Sequence, residues 1–341
     1  MRKTSLSLSL ALLAAIPAHG ASSEWKEIQR HTLGGTGGWD LLAVEATSRR
    51  LFVTRGEHLM VVDVDSGKLL GDIWGLHRAH GVVLVPEKKR GFVSSGEDNR
   101  VVAFDLETLK VTDDIPVTGM NPDAMLFDDA SKHVFVFNGR SNNADVIDPA
   151  TGKIVATMPI PGKPELAVSD GHGKIFVNLE DKNQVAQADS KAAKVTTTWA
   201  LGTCEEPTGL AIDTVHHRLF SVCANKQMVI LSTEDGHVVA TVPIGDGPDG
   251  AAFDPQSATA FSSNSDGTLT VVHEDDPDHY HVVVNVATPP RSRAIALDAK
   301  MHRVVLATAE FGAAPAPTTD QPHPRPSMKP DSFGIMVVGR Q

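Results

Sequence analysis

The chain lacks the short motifs that announce common chemistries. There is no GxSxG elbow, HExxH pair, CxxCH attachment site or Walker loop. This leaves out covalently bound haem and the familiar hydrolase, zincin and nucleotide-binding signatures. Cysteine is almost missing, with Cys204 and Cys223 the two present in 341 residues. They are too far apart for a CxxC redox pair, and in an oxidising compartment two lone cysteines read as a disulfide. Basic charge is also short. Against 42 acidic residues stand 31 Lys and Arg, for a net charge of −11, which opposes binding to a phosphate backbone and disfavours nucleic acid as a partner. No segment reaches the roughly 18 consecutive apolar residues of a spanning helix, and no stretch sustains a 3.6-residue apolar period.

What is present begins with a leader. Arg2 and Lys3 precede an apolar stretch from Leu6 to Ile16, and Ala18-His19-Gly20 offers small residues for cleavage. Residues 1–20 are therefore read as a signal peptide, cut after Gly20 or after Ala21. Residues 21–341 are read as one domain of a periplasmic or secreted protein, expected to be a monomer. No cysteine follows the leader to carry a lipid anchor.

The rest is repetitive. A turn and a small residue lead into a short apolar strand ending near Asp. A second turn, a β-branched or aromatic strand and two further strands follow. In the clearest copy the four strands begin near Leu210, Arg218, Gln227 and Val238. The matching first-strand residues are Leu41, Val82, Met125, Ala167, Leu210, Ala251 and Ile295, spaced 41 to 44 residues apart. Four short strands per 40–45 residues is the period of a propeller blade. The expected fold is all-β, a seven-bladed β-propeller. Its last repeat has only three strands before the chain ends, so Trp25–Leu33 is expected to add the fourth and close the ring.

The repeats resemble the YVTN type. The stretch from Cys204-Glu205-Glu206-Pro207-Thr208-Gly209 to Gly267-Thr268-Leu269-Thr270-Val271 is similar to the YncE-like exported propellers, as is Phe311-Gly312-Ala313-Ala314-Pro315 with its proline-rich continuation. Leu51-Phe52-Val53-Thr54 lies close to the family tetrapeptide. Ala258-Thr259-Ala260-Phe261 departs from it, so an irregular sixth blade is expected. The resemblance implies a fold; no catalytic motif travels with it.

In propellers, the loops entering first strands and those joining second to third strands share the face beside the central channel. Two positions before each aligned residue stand Trp39, His80, Asp123, Glu165, Thr208, Asp249 and Arg293, a ring of mostly polar groups at the channel mouth. Ordinary turn formation explains Asp and Thr there; His80, Glu165 and Arg293 are less turn-like. Arg55, Asn138, Glu180, Asn225 and Asn264 fall on the same rim. Cys204 and Cys223 should lie side by side, and residues 311–331, carrying Pro315, Pro317, Pro322, Pro324, Pro326 and Pro330, form an insertion that is either a lid or an extended excursion.

His273, His279 and His281 crowd a hairpin with Glu274, Asp275, Asp276 and Asp278. That hairpin is placed on the opposite face and read as a solvated tip. A divalent metal is better placed among His80, Asp123, Glu165 and Asp249 at the mouth. The first functional reading is a non-enzymatic exported protein binding a small molecule or a protein through the mouth. The alternatives are a lactonase-type hydrolase using His80, Glu165 and Arg293, and a cofactor-dependent oxidoreductase whose cofactor residues are unidentified.

Overall fold

A computed structural model describes residues 24–316, 318 and 324–340. The leader, residues 1–20, lies outside the described residues. The fold is all-β. Two single-turn 3-10 helices, Pro86–Lys88 and Glu180–Lys182, are the helical elements among the described residues, and no helix there is long and apolar enough to cross a membrane.

The strands form antiparallel sheets in chain order, the arrangement of a β-propeller. Four sheets of four strands begin with Pro122–Asp128, Pro164–Ser169, Pro207–Asp213 and Pro248–Asp254. A seven-stranded sheet begins with Leu42–Glu45. Its long strand Leu69–Val85 pairs through its first part with Gly56–Asp63 and through its second with Arg90–Ser95. The last sheet takes Ile295–Asp298, Arg303–Thr308 and Gly334–Arg340 from the C-terminal end, and Trp25–Thr32 adds to its edge. That pairing runs from Trp25 opposite Arg340 to Thr32 opposite Gly334.

The patterning follows from sheet-on-sheet packing. A second strand has a neighbouring sheet on each face, so it reads as a continuous apolar run rather than an alternation. Leu51, Phe52 and Val53 are all without exposed surface, as are Val134, Phe135, Val136 and Phe137. Fourth strands sit at the outer edge and alternate, as Lys153–Pro159 does. Core clusters therefore lie between sheets. One joins Leu51, Val53 and Met60 to Val305, Phe333 and Ile335, so residues from the two ends of the chain share one core. The sixth repeat, expected to be irregular, is regular: Thr259–Asn264 is buried throughout and pairs on both sides.

Cys204 and Cys223 form the expected disulfide, with Cα atoms 5.4 Å apart, next to the pairing of Pro207 with Cys223. The bridge closes a loop of 19 residues. Replacing both cysteines by Ala should cost about 3 kcal/mol in urea unfolding; an unchanged midpoint would contradict a stabilising role.

Candidate functional site

The first strands start side by side. Each lies against the first strand of the next sheet, and Ile295–Asp298 lies against Leu42–Glu45. Two features set how close they come. Gly81 and Gly209 each follow a ring residue, and a Cβ on either would meet neighbouring backbone, at 2.4 Å from the Asp123 carbonyl for Gly81 and 2.7 Å from the Ala251 nitrogen for Gly209. Buried polar residues of the second strands then tie down the next ring residue. Thr54 Oγ1 donates to the His80 carbonyl at 2.9 Å, Ser94 Oγ to that of Asp123 at 2.9 Å, and Asn178 Nδ2 to that of Thr208 at 3.0 Å; Ser263 Oγ donates to the Arg293 carbonyl.

Six of the seven expected ring residues occupy this position, and the first does not. Leu42 pairs with Val53 as Val82 pairs with Val93. The residue equivalent to His80 is therefore Asp40, and Trp39 is displaced by one. The Trp39 ring turns toward Phe333 and Phe311, with centroids 5.3 and 6.1 Å away. Adjacent leucines at 41 and 42 hide this shift in the sequence, because a doubly covered strand gives no alternation to fix its register.

Asp40 is the functional candidate that the sequence reading missed. Its Oδ2 lies 2.5 Å from Nδ1 of buried His80, and Asp123 Oδ1 lies 3.8 Å from the same nitrogen. Burial works against a charged imidazole, but Asp40 and Asp123 outweigh it and raise the His80 pKa. Asp40, His80 and Asp123 present ligand atoms within 4.8 Å of one another and could hold a divalent cation. Glu165 and Asp249, expected to join such a set, are held elsewhere. Lys163 Nζ sits 2.9 Å from Glu165 and also pairs with Glu180, and Arg293 Nε lies 3.4 Å from Asp249.

These carboxyls lie where the first strands begin. The side chains of Asp123 and Asp249 keep 31% and 21% of their surface exposed, yet protein surrounds them. Burial raises Asp123 against the opposing pull of His80, takes Asp249 to about 7 despite Arg293, and takes Glu165 to about 8 despite Lys163. Near neutral pH the mouth thus offers carboxyl O–H donors as well as acceptors.

A sign for stability follows. A carboxyl whose folded pKa exceeds its ordinary 3.8 or 4.5 is penalised once pH rises past the ordinary value, fully so above the folded one. His80, raised through its partners, adds a contribution lost over the upper part of the same range. Melting temperature should fall between pH 5 and pH 8.5. Asp249→Asn and Glu165→Gln should each gain about 1 kcal/mol or more at pH 8, solvent at these partly exposed side chains screening the rest. A flat profile in the unmodified protein would contradict this.

The rim residues are mostly structural. Asn138 is fully buried and donates to Asn143 and Asp145; Asn264 is fully buried and donates to Thr268 and Thr270. Asn225 ties Thr203 and Glu205 beside the disulfide. The Arg55 guanidinium is buried 3.5 Å from the Phe333 ring centroid and donates to the Thr36 carbonyl, and burial lowers its pKa to about 10. Of the five, Glu180 joins the mouth, through Lys163.

Beside the mouth is a cavity of about 650 Å³ lined by Trp39, Arg291, Arg293, Phe311, Arg325 and Met328, among others. The proline-rich insertion builds one wall. A bridge between Phe311 and Met328 closes its base, with Gly312 N donating to the Ser327 carbonyl at 2.9 Å. Of its prolines, Pro317 and Pro322 lie outside the described residues. Arg291 stacks 5.1 Å from the Phe311 centroid. Three arginines and two aromatic rings thus line one cavity, with Arg291 over Phe311 and Arg293 also paired to Asp249.

No protein-family model matches the chain, and no curated protein matches it. Among solved structures, hydrazine synthase of Kuenenia stuttgartiensis superposes with a TM-score of 0.69 at 17% identity, covering 81% of this chain and 94% of that one. At that identity the likeness concerns the fold alone.

Proposed function

We propose that the chain is exported to the periplasm or beyond and closes into one seven-bladed propeller. We further propose that it acts there as a binding protein for a small anionic ligand with an apolar part. Export is supported by the leader at residues 1–20 and by the disulfide. The blade count rests on the repeat spacing and on the division of Leu69–Val85 between two sets of partners. Closure rests on the pairing of Trp25–Thr32 with Gly334–Arg340 and on the contact of Ile295–Asp298 with Leu42–Glu45. The resemblance to YncE-like propellers points the same way.

The observation that carries the ligand class is that Arg291, Arg293 and Arg325 line, together with Trp39 and Phe311, a cavity of about 650 Å³, within the size range of small-molecule sites. An aromatic sulfonate, 8-anilinonaphthalene-1-sulfonate, has matching chemistry and can be followed by quenching of tryptophan fluorescence. One saturable site per chain is expected, weakened by added salt. In an Arg291→Ala/Arg293→Ala variant it should weaken at least about tenfold, the worth of one charged hydrogen bond. Equal binding by that variant would overturn the assignment.

The lactonase-type alternative has one observation in its favour, the Asp40–His80 pair, which orients an imidazole as a base–carboxylate couple does. It has a separate readout: lactone turnover that His80→Ala removes. His80, Glu165 and Arg293, the three residues expected to carry it, each keep a different partner.

A further inference from the structure

A second cluster lies away from the mouth, between the sheet that begins with Pro207–Asp213 and the sheet that begins with Pro248–Asp254. The first strands of four sheets end in an equivalent acid: Asp128, Asp213, Asp254 and Asp298. Three of these acids receive donors across the junction to the next sheet. Asp298 accepts from Arg49 at 2.6 and 2.7 Å, Asp254 faces His302 at 3.0 Å, and Asp128 accepts from Ser169 at 2.5 Å. Asp213 meets a second acid instead, Glu274 of the strand Thr268–Asp276. His216 stands between the two, with Nδ1 2.8 Å from Asp213 Oδ2 and 3.1 Å from Glu274 Oε1.

Both carboxylate side chains are 2% exposed. Glu274 Oε2 has no hydrogen-bond partner, and Asp213 Oδ2 has none with good geometry, since His216 approaches it off the hydrogen-bonding direction. Arg218, in the same turn, spends its guanidinium on Asp278 and on the carbonyls of His216, His217 and Pro277. The Tyr280 hydroxyl donates to the Pro277 carbonyl at 2.8 Å and stands 3.3 Å from Glu274 Oε1. Two buried acids with unused oxygens, one imidazole and no neutralising arginine are the donor set of a cation.

We propose that Asp213, His216 and Glu274 bind a borderline divalent cation of the zinc or manganese kind, clipping these two sheets together. The imidazole argues against calcium and magnesium, which prefer oxygen-only shells. Ligand atoms about 2.0–2.1 Å from a tetrahedral ion stand about 3.3 Å apart, and the two spacings from His216 Nδ1 are within half an ångström of that. His216 is 43% exposed, which leaves an entry path and a position open to water. His279 and His281 are not part of the set; they pair with Asp276 and Asp275 at the exposed hairpin.

The test uses the full exported chain, stripped with chelator and dialysed at pH 7.5 against zinc chloride, with zinc counted per chain and melting followed. One zinc per chain is expected at this site, with a higher melting temperature. That zinc should persist in Asp123→Asn, which disables the cluster at the mouth. It should bind at least about tenfold more weakly in Glu274→Gln and in His216→Ala, each first checked for a cooperative melt in the absence of metal. Zinc uptake unchanged in both variants overturns the proposal, as does uptake abolished by Asp123→Asn alone. Absence of uptake also overturns it and leaves the two acids sharing a proton.

Discussion

Deleting residues 25–33 is expected to abolish cooperative unfolding, leaving a chain that no longer folds as one unit. The segment contributes the outer strand of the last sheet, and its removal strips the ladder from Gly334–Arg340. It also removes Trp25, which is 3% exposed and packs edge-on against Phe261 of the neighbouring sheet at 4.9 Å. Met336 and Val338, which share a core with Trp25, would meet water. Burial of one large side chain is worth up to about 3 kcal/mol, and a domain has roughly 5–15 kcal/mol in total, so losing the strand consumes most of it. An open edge would then invite association. Trp25→Ala is the graded version, expected to cost about 3–5 kcal/mol. A deletion variant with an unchanged, single thermal transition would show that this strand merely decorates the fold.

The second large effect lies where the same last sheet meets the first sheet. Asp298 is fully buried, and its carboxylate accepts from Arg49 of the first repeat and from Arg303 of its own sheet. Asp65 completes the network with both arginines. Asp298→Ala would leave two partly buried guanidinium groups short of countercharge, at a cost of about 3–5 kcal/mol in urea unfolding. The arginines hold the pKa of Asp298 and Asp65 below the ordinary 3.8, although burial opposes this. Their stabilisation is therefore complete above that value and is lost as pH falls through the lowered folded values. An Asp298→Ala midpoint within error of the parent would show that the ion network adds nothing to the contact between the last and first sheets.

The repeat was legible because each sheet must present the same two-faced second strand to its neighbours, which leaves an apolar run and a turn at nearly constant spacing. Trp25–Leu33 was legible for a related reason: a three-stranded remainder at one end calls for a strand from the other. Register was harder. With Leu41 and Leu42 both apolar and the strand covered on both faces, only the pairing of Leu42 with Val53 identifies Asp40 as the partner of His80. Residue type also misled at Asn138 and Asn264. They sit at turns by position, but their amides point into the sheets to satisfy neighbouring polar groups. The Arg291–Arg325 lining and the Asp213–Glu274 pairing were not legible, since packing joins residues tens of positions apart; Glu274, read with the solvated hairpin tip, is instead buried against Asp213 and His216.

The most direct test is a crystal structure of the protein soaked with the aromatic sulfonate. The expected map has seven blades, Trp25–Thr32 zipped onto the last of them, and the sulfonate between Arg291 and Arg293 with its rings on Trp39 and Phe311. Ligand density anywhere else, or a different number of blades, would contradict the proposed site and the ring that forms it.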